Sequence, residues 1–510
     1  MNKHIPIHPF LFGVYPLLFL YSHNIYFLLF HDILVLIAID LFVILVLLLL
    51  LSFILNDRKR AGLVASLCVL LFFSYGHIYN AIAAFSVGGD VIVIHRLLLL
   101  VYSTFFVAGV YIILRTQRYS NNFTFIFNII AGVLVVIPLV NIGAYNLRRD
   151  TSFQDRKVQK VETRPTDAGS VSATLPNIYY IILDAYTSEA NLKEYYNYDN
   201  HEFTGYLEDK GFYIASESRS NYAVTFLSLA SSLNLKYLNE LSEVIGVESE
   251  ERFIPNQMIR NNTVMQFLRS KGYKLVHFKS GWGATDYNRY ADLNVQCGVG
   301  NELLTMLTKT TVLRPLERYL NLVENDDRER VLCTFARLAQ VQDMIEGPYF
   351  VFAHMLIPHP PYLFGPNAEG VANPELKMLG DIDLWKYKQL YIDQLIFLNK
   401  KVRELVDVLL TTADSSPVIV LQGDHGSASS GGWEEPGISL IKERTGILNA
   451  YYLPSNGNDL LYNSITPVNT FRLILDHYFG TSYGLLDDKI YFSGKQPYKF
   501  VDVTSVVSGN

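Results

Sequence analysis

The sequence predicts an N-terminal helical transmembrane domain followed by an α/β domain with a mainly parallel central sheet. Three observations carry this. Residues up to about Tyr145 are mostly apolar with few charges, whereas the remainder has an ordinary soluble mixture. Beyond Pro176, short apolar runs alternate with longer amphipathic ones, the pattern of buried strands and surface helices. Two of the apolar runs, Tyr179-Tyr180-Ile181-Ile182-Leu183-Asp184 and the run closing on Gly423-Asp424-His425-Gly426, deliver an acid to a strand's carboxyl end. In an open α/β sheet, that edge is where ligands bind.

A length of 510 residues suggests two or three domains. Five apolar stretches, roughly 6–22, 32–55, 61–84, 92–114 and 123–145, are long enough or nearly so to cross a bilayer. The first is the shortest and contains Pro9 and Pro16. Further hydrophobic spans follow it without a small-residue cleavage site, which argues against a cleaved signal peptide. Basic residues orient the spans. The loops holding Asp57-Arg58-Lys59-Arg60 and Arg115 with Arg118 stay in the cytoplasm, while the other two connections contribute only Arg96. The N-terminus is then inside and everything beyond about residue 146 outside, as in a multi-pass protein of the inner (plasma) membrane. Arg148 and Arg149 pull weakly the other way, but a long domain is translocated regardless of such charges. The expected division is an anchor over 1–146, a linker over 147–176 and an extracytoplasmic domain over 177–510. The linker reading rests on a charged, Ser-, Thr- and Gly-containing segment without apolar period. The net charge of −6 offers no basic face for nucleic acid. Of three cysteines, Cys68 falls in a span; Cys297 and Cys333 are candidates for a disulfide in an oxidising compartment, and the sequence leaves their pairing open.

In chain order, 178–183 reads as a strand buried on both faces and 199–210 as an amphipathic helix. The hydroxyl-rich opening Ser220-Asn221-Tyr222-Ala223-Val224 leads into a short apolar helix at 225–235. A helix at 263–271 precedes a strand at 273–278, and a helix at 327–345 precedes a strand at 348–354. A long amphipathic helix at 385–411, a strand at 417–422 and a helix at 467–478 complete the reading.

Two carboxylates and an imidazole at strand ends make a cage for a divalent metal, because these donors suit hard to borderline cations. Either acid alone is equally a helix N-cap or a loop turn. Thr225 opens a helix, where backbone N–H groups and the dipole favour a bound anion, and a nearby cation would activate its hydroxyl. Taken alone, it reads as an N-cap. In His354-Met355-Leu356-Ile357-Pro358-His359-Pro360-Pro361, the imidazoles are suited to proton transfer near neutral pH, although His359 also reads as a turn residue between prolines. Lys279 and Trp282 follow the 273–278 strand as candidate pocket-wall residues, against the readings of a solvated charge and a core aromatic. Glu434, Arg444 and Asn449 fall in a Gly- and Ser-rich loop after the Asp-His pair, with no role assigned.

Together these residues resemble the alkaline phosphatase and sulfatase superfamily and, within it, the membrane-anchored phosphoethanolamine and phosphoglycerol transferases. The resemblance covers roughly residues 177–480, and the five-span anchor matches those transferases too. It implies metal ligation by Asp184, Thr225, Asp424 and His425, with Thr225 also the nucleophile. It further implies that a histidine of the loop after the 348–354 strand, His359 first and His354 second, contacts the phosphoryl group or protonates the leaving oxygen; Lys279 and Trp282 remain candidate substrate contacts on their own reading. One departure is Asp184, where the transferases commonly have Glu and sulfatases and phosphatases have Asp. The Cys/Ser-x-Pro-x-Arg motif of formylglycine sulfatases is absent near Thr225; Cys333-Thr334-Phe335-Ala336-Arg337 lacks the Pro and lies on an amphipathic helix. The implied function is a membrane-bound, metal-dependent transferase. It moves a phosphoethanolamine- or phosphoglycerol-type head group from a phospholipid to an envelope glycan or lipid through a covalent Thr225 intermediate. One divalent ion is expected, zinc or manganese first and magnesium or calcium as alternatives. The other readings are a hydrolase of the same fold (phosphodiesterase, phosphatase or sulfuric ester hydrolase) and a non-catalytic membrane module.

Overall fold

The structure, a computed structural model, describes residues 5–25, 30–85, 91–115, 120–154, 175–298, 302–315, 322–371, 384–412, 416–433 and 436–507. The chain forms two compact units, Met1–Thr163 with Gly300–Val323 and Arg164–Val299 with Glu324–Asn510. Most of the expected linker, 155–174, lies outside the described residues.

The first unit contains α1 (His8–His23), α2 (Phe30–Leu55), α3 (Arg58–Phe85), α4 (Val91–Arg115) and α5 (Ser120–Gln154). Four stretches, Ile33–Leu55, Arg58–Ile82, Ile94–Arg115 and Asn122–Tyr145, are long and apolar enough to cross a membrane. The shortest has 22 residues, about 33 Å of helix against a hydrocarbon core of about 30 Å. Helix α1 has 16 residues, with a Pro in its first turn and Pro16 inside, and reaches only about 24 Å. It packs against α5, α2 and α3, burying Phe12, Leu17, Leu18 and Tyr21. A later segment of the chain, the helix Glu302–Thr310 with the residues that follow it, also belongs to this unit. There Val312 N donates to Phe72 O (3.0 Å) and Arg314 Nη1 to Asn80 Oδ1 (2.5 Å). Gly76 permits that approach, since a Cβ at this position would collide with the backbone of Lys309 and Thr310.

The second unit is built on a sheet of seven described strands. These are β1 (Ile178–Leu183), β2 (Tyr213–Ile214), β3 (Lys274–Phe278), β4 (Leu293–Val295), β5 (Tyr349–Met355), β6 (Val418–Gln422) and β7 (Asn449–Tyr452), in the order β2-β7-β6-β1-β5-β3-β4. The contacts from β6 through β1, β5 and β3 to β4 are parallel, and β7 runs antiparallel to β6 and β2. Strand β1 shows why both faces are covered. Ile178, Tyr180 and Ile182 enter one core while Tyr179, Ile181 and Leu183 enter the other, as the two-residue period of a strand requires. One core is closed by α6 (Thr225–Asn234) and α9 (Pro467–Phe479), the other by α7 (Lys388–Thr412); α8 (Ile438–Thr445) follows β6.

The four strands read from sequence are present within a residue or two of their expected bounds. The expected helix at 327–345 is instead two, Leu322–Leu338 and Val341–Met344. Cys297 and Cys333 form a disulfide, with 5.5 Å between their Cα atoms.

Candidate active site

Strands β6, β1 and β5 are adjacent and parallel, so their carboxyl ends converge. Asp184 directly follows β1, Asp424 lies two residues beyond β6, and His354 is the penultimate residue of β5, paired across the ladder with Ile182. The turn after β1 is strained: Ala185 has φ of 60°, a left-handed conformation uncommon for a residue with a Cβ. This turn directs Ala185 N–H to Asp424 Oδ1 at 3.0 Å. The glycines flanking the Asp-His pair have a packing reason. A Cβ on Gly423 would strike Tyr186 O, and one on Gly426 would strike Glu443 O and Gly446 O.

Thr225 is the first residue of α6, after an extended Val224 at the cap position. Its hydroxyl does not cap the helix; Thr225 Oγ1 lies 3.1 Å from His425 Nε2. The capping alternative is therefore replaced by a contact into the cluster. The next turn of α6 is tied to the same loop by Ser228 Oγ, which donates to Asp424 O at 2.6 Å.

His425 Nδ1 donates to Gly426 O (3.1 Å), which leaves the lone pair on Nε2. That lone pair faces Asp424 Oδ2 at 3.3 Å and Asp184 Oδ1 at 3.6 Å. Both carboxylate oxygens are buried and, among the described residues, without a hydrogen-bond donor. Three acceptors turned towards one another, two of them carboxylate oxygens without a donor, are unfavourable unless a cation lies among them. One donor atom from each of Asp184, Asp424 and His425 lies within 4.8 Å of the others. The residues therefore fit a divalent metal, and the second-atom hydrogen bonds of His425 and Asp424 are the kind that orient metal ligands.

Titration behaviour agrees with this crowding. Burial and the charge of Asp184 push Asp424 up to about 6. Burial acts on Asp184 in the same sense, but it is outweighed first by the charge of His359 and then by a hydrogen bond from His354, and its carboxyl is held below the usual range. Burial, then the Arg444 charge, drives His425 well below its ordinary value, so it is neutral and able to ligate.

His354, expected at the substrate, is placed against the acids: its Nε2 is 3.3 Å from Asp184 Oδ2, and its Nδ1 meets Thr285 Oγ1 at 2.8 Å. Trp282 stands edge-on to the His354 ring at 5.7 Å between centroids. His359 N donates to Asp184 O (3.1 Å), and its ring lies 6.1 Å from that of His425 and 5.3 Å from that of Trp385. Its Nδ1 meets Pro360 O, leaving the lone pair on Nε2. Lys279 is directed to Gln296 Oε1 (3.5 Å), not to these groups.

Two further charged residues belong here. Arg444, expected in a loop, lies on α8 beside Glu443, a residue the sequence reading did not single out, and both are buried. Asn449 opens β7, and Glu434 lies outside the described residues. Glu443 accepts from Ser429 N, Ser430 N and Ser427 Oγ at 2.7–2.8 Å and so shapes the loop after the Asp-His pair. Arg444 Nη2 lies 2.8 Å from His425 Nε2. Three consecutive charged residues, Lys442-Glu443-Arg444, carry no apolar signal in the sequence; only the fold reveals the burial of Glu443 and Arg444.

No family model matches the chain. No curated protein matches it either. Among solved structures, the full-length lipooligosaccharide phosphoethanolamine transferase A of Neisseria meningitidis is similar at 13% identity and TM-score 0.39, over 92% of this chain and 93% of that one. The zinc complex of the periplasmic domain of Escherichia coli EptC is similar at 14% identity and TM-score 0.39, over 67% and 96%. A putative sulfatase of Bacteroides fragilis is similar at 12% identity and TM-score 0.39, over 61% and 75%.

Proposed function

We propose that this protein is a membrane-bound, metal-dependent transferase. It moves a phosphoethanolamine- or phosphoglycerol-type head group from a phospholipid to an envelope glycan or lipid. The observation that carries the reading is Thr225 Oγ1, turned from its helix into a buried Asp184, Asp424 and His425 cluster. Asp184, Thr225, Asp424 and His425 would hold the cation, and their oxygen and nitrogen donors suit zinc or manganese. When bound, it supplies positive charge that lowers the hydroxyl pKa of Thr225 and offsets charge on the phosphoryl oxygens.

Thr225 Oγ1 attacks the donor phosphorus as His359 Nε2 takes its hydroxyl proton, and the bond to the diacylglycerol oxygen breaks as His359 passes that proton to the leaving oxygen. The head group is then esterified to Thr225. In the second step His359 takes the proton of an acceptor hydroxyl, whose oxygen attacks phosphorus, and returns that proton to Thr225 Oγ1 as the Thr225–phosphorus bond breaks. His354 holds Asp184 in place through Nε2 and is itself fixed by Thr285. Apolar spans in the same chain favour a donor that resides in the bilayer.

The test is mass spectrometry of the Thr225 peptide after incubating detergent-solubilised protein with mixed phospholipids and zinc or manganese. A metal-dependent adduct names the transferred group by its mass. Thr225→Ala is expected to reduce turnover at least about a thousandfold, as loss of a nucleophile does, with the protein still folded. Turnover by Thr225→Ala at the wild-type rate would remove Thr225 from the mechanism. Rapid phosphodiester hydrolysis without an acceptor would instead select the hydrolase reading.

A further inference from the structure

The mechanism above leaves one buried charge without a task. Arg444 is 5% exposed and makes no ion pair among the described residues. Its Nε donates to Ala223 O and its Nη1 to Gly426 O, both at 2.9 Å, and its guanidinium stands 5.0 Å from the centre of the Trp433 ring. Glu443, its neighbour, is already satisfied by Ser427, Ser429, Ser430 and Tyr196. Two anchoring carbonyls and an aromatic face thus hold the guanidinium in one orientation, with Nη2 directed into the cluster, 2.8 Å from His425 Nε2.

A buried guanidinium without a carboxylate is costly unless an anion completes it. In this case, two donors, Thr225 Oγ1 and Arg444 Nη2, converge on the single lone pair of His425. Once His425 Nε2 is committed as a metal ligand, the Nη2 hydrogens have to find another acceptor. That acceptor has to be an anion, because Nη2 belongs to a cationic group and the Asp184 and Asp424 carboxylates would be engaged with the divalent cation.

We infer that Arg444 is the anion-binding residue of this site, its Nη2 hydrogens gripping a non-bridging oxygen of the phosphodiester group that is transferred. The inference rests on the reading of this cluster as the reacting centre. Arg suits the task because its planar fork stays charged and pre-organised while two of its nitrogens are anchored elsewhere.

The test is calorimetric titration of the full-length protein in detergent, first with zinc alone and then with inorganic phosphate on the zinc-loaded protein. The variants are Arg444→Met and Arg444→Lys. An anion-binding role gives effects of opposite sign. Removing the cation beside the metal ligands should leave zinc affinity unchanged or raised, while phosphate affinity falls about tenfold to a hundredfold, the scale of a charge-assisted hydrogen bond. Loss of zinc and phosphate affinity together would assign Arg444 a structural role and overturn the inference, as would unchanged phosphate affinity. Should Arg444→Met not fold, Arg444→Lys carries the same comparison, since it keeps the charge but cannot hold both carbonyls and an anion. Failure of the metal-centre reading shows separately, as wild-type protein that takes up no zinc.

Discussion

At the scale of single residues, His277 shows how burial sets a pH limit. It lies on β3, and its Nε2 donates to Thr285 O at 2.8 Å, while Nδ1 is buried without a hydrogen-bond partner among the described residues. Burial pushes it down from 6.5 to about 4. Above pH 6.5 it is neutral in the folded and unfolded chain and contributes no pH dependence. As pH falls from 6.5 to 4, the unfolded chain binds a proton that the folded chain refuses, so stability is lost across that window. A shift of this size corresponds to about 3 kcal/mol. His277→Gln is expected to make the acid-side decline of the unfolding free energy, read from urea titrations, shallower by about that amount. Tryptophan fluorescence is the readout, because Trp282, Trp385 and Trp433 all lie in the sheet-bearing unit. An acid limb as steep as that of the wild type would remove His277 from the account. Residue-scale legibility follows the same physics. Asp184, Asp424 and Thr225 stand out in the sequence because each is a polar group at the boundary of an apolar run. Arg444 and Glu443 do not, because their burial arises only when α8 folds over the Asp-His loop.

Elements were legible where hydrophobic period and length agreed. Strands β1, β3, β5 and β6 are five to seven residues long and largely buried. Strands β2, β4 and β7 have two to four residues, and Leu293-Asn294-Val295 or Asn449-Ala450-Tyr451-Tyr452 carry no local signal strong enough to mark them. Their strand character comes from pairing with neighbours already in place. The same holds for the disulfide, which joins the end of β4 to the helix Leu322–Leu338 across a sequence separation of 36. Closing a loop of that length restricts the unfolded chain by about 4 kcal/mol. Replacing both Cys297 and Cys333 by Ser is therefore expected to lower the urea midpoint of the sheet-bearing unit. A midpoint equal to that of the wild type would show that the ends are held without the covalent link.

For the whole molecule, the decisive quantity is the number of crossings. The basic clusters Arg58-Lys59-Arg60, between α2 and α3, and Arg115 with Arg118, between α4 and α5, favour the cytoplasm. With both inside, the chain beyond α5 is outside whatever α1 does. The position of the residues before α1 depends on α1 alone: inside if it crosses, outside if it does not. Length argues against crossing, since 16 residues give about 24 Å. Packing argues for it, because α1 lies against α5, α2 and α3 and buries Phe12, Leu17, Leu18 and Tyr21 there. A helix buried by three neighbours need not match the lipid thickness by itself, since flanking residues and local thinning absorb the mismatch at modest cost. We therefore expect a fluorescent protein fused before α1 to fluoresce in the cytoplasm, as should one inserted at Asp57, while an alkaline phosphatase reporter fused after Tyr145 should be active outside. A dark N-terminal fusion with the other two unchanged would make α1 a helix that does not cross. An inactive reporter after Tyr145 would instead place the site on the cytoplasmic side, away from an envelope acceptor, and would count against the transferase reading.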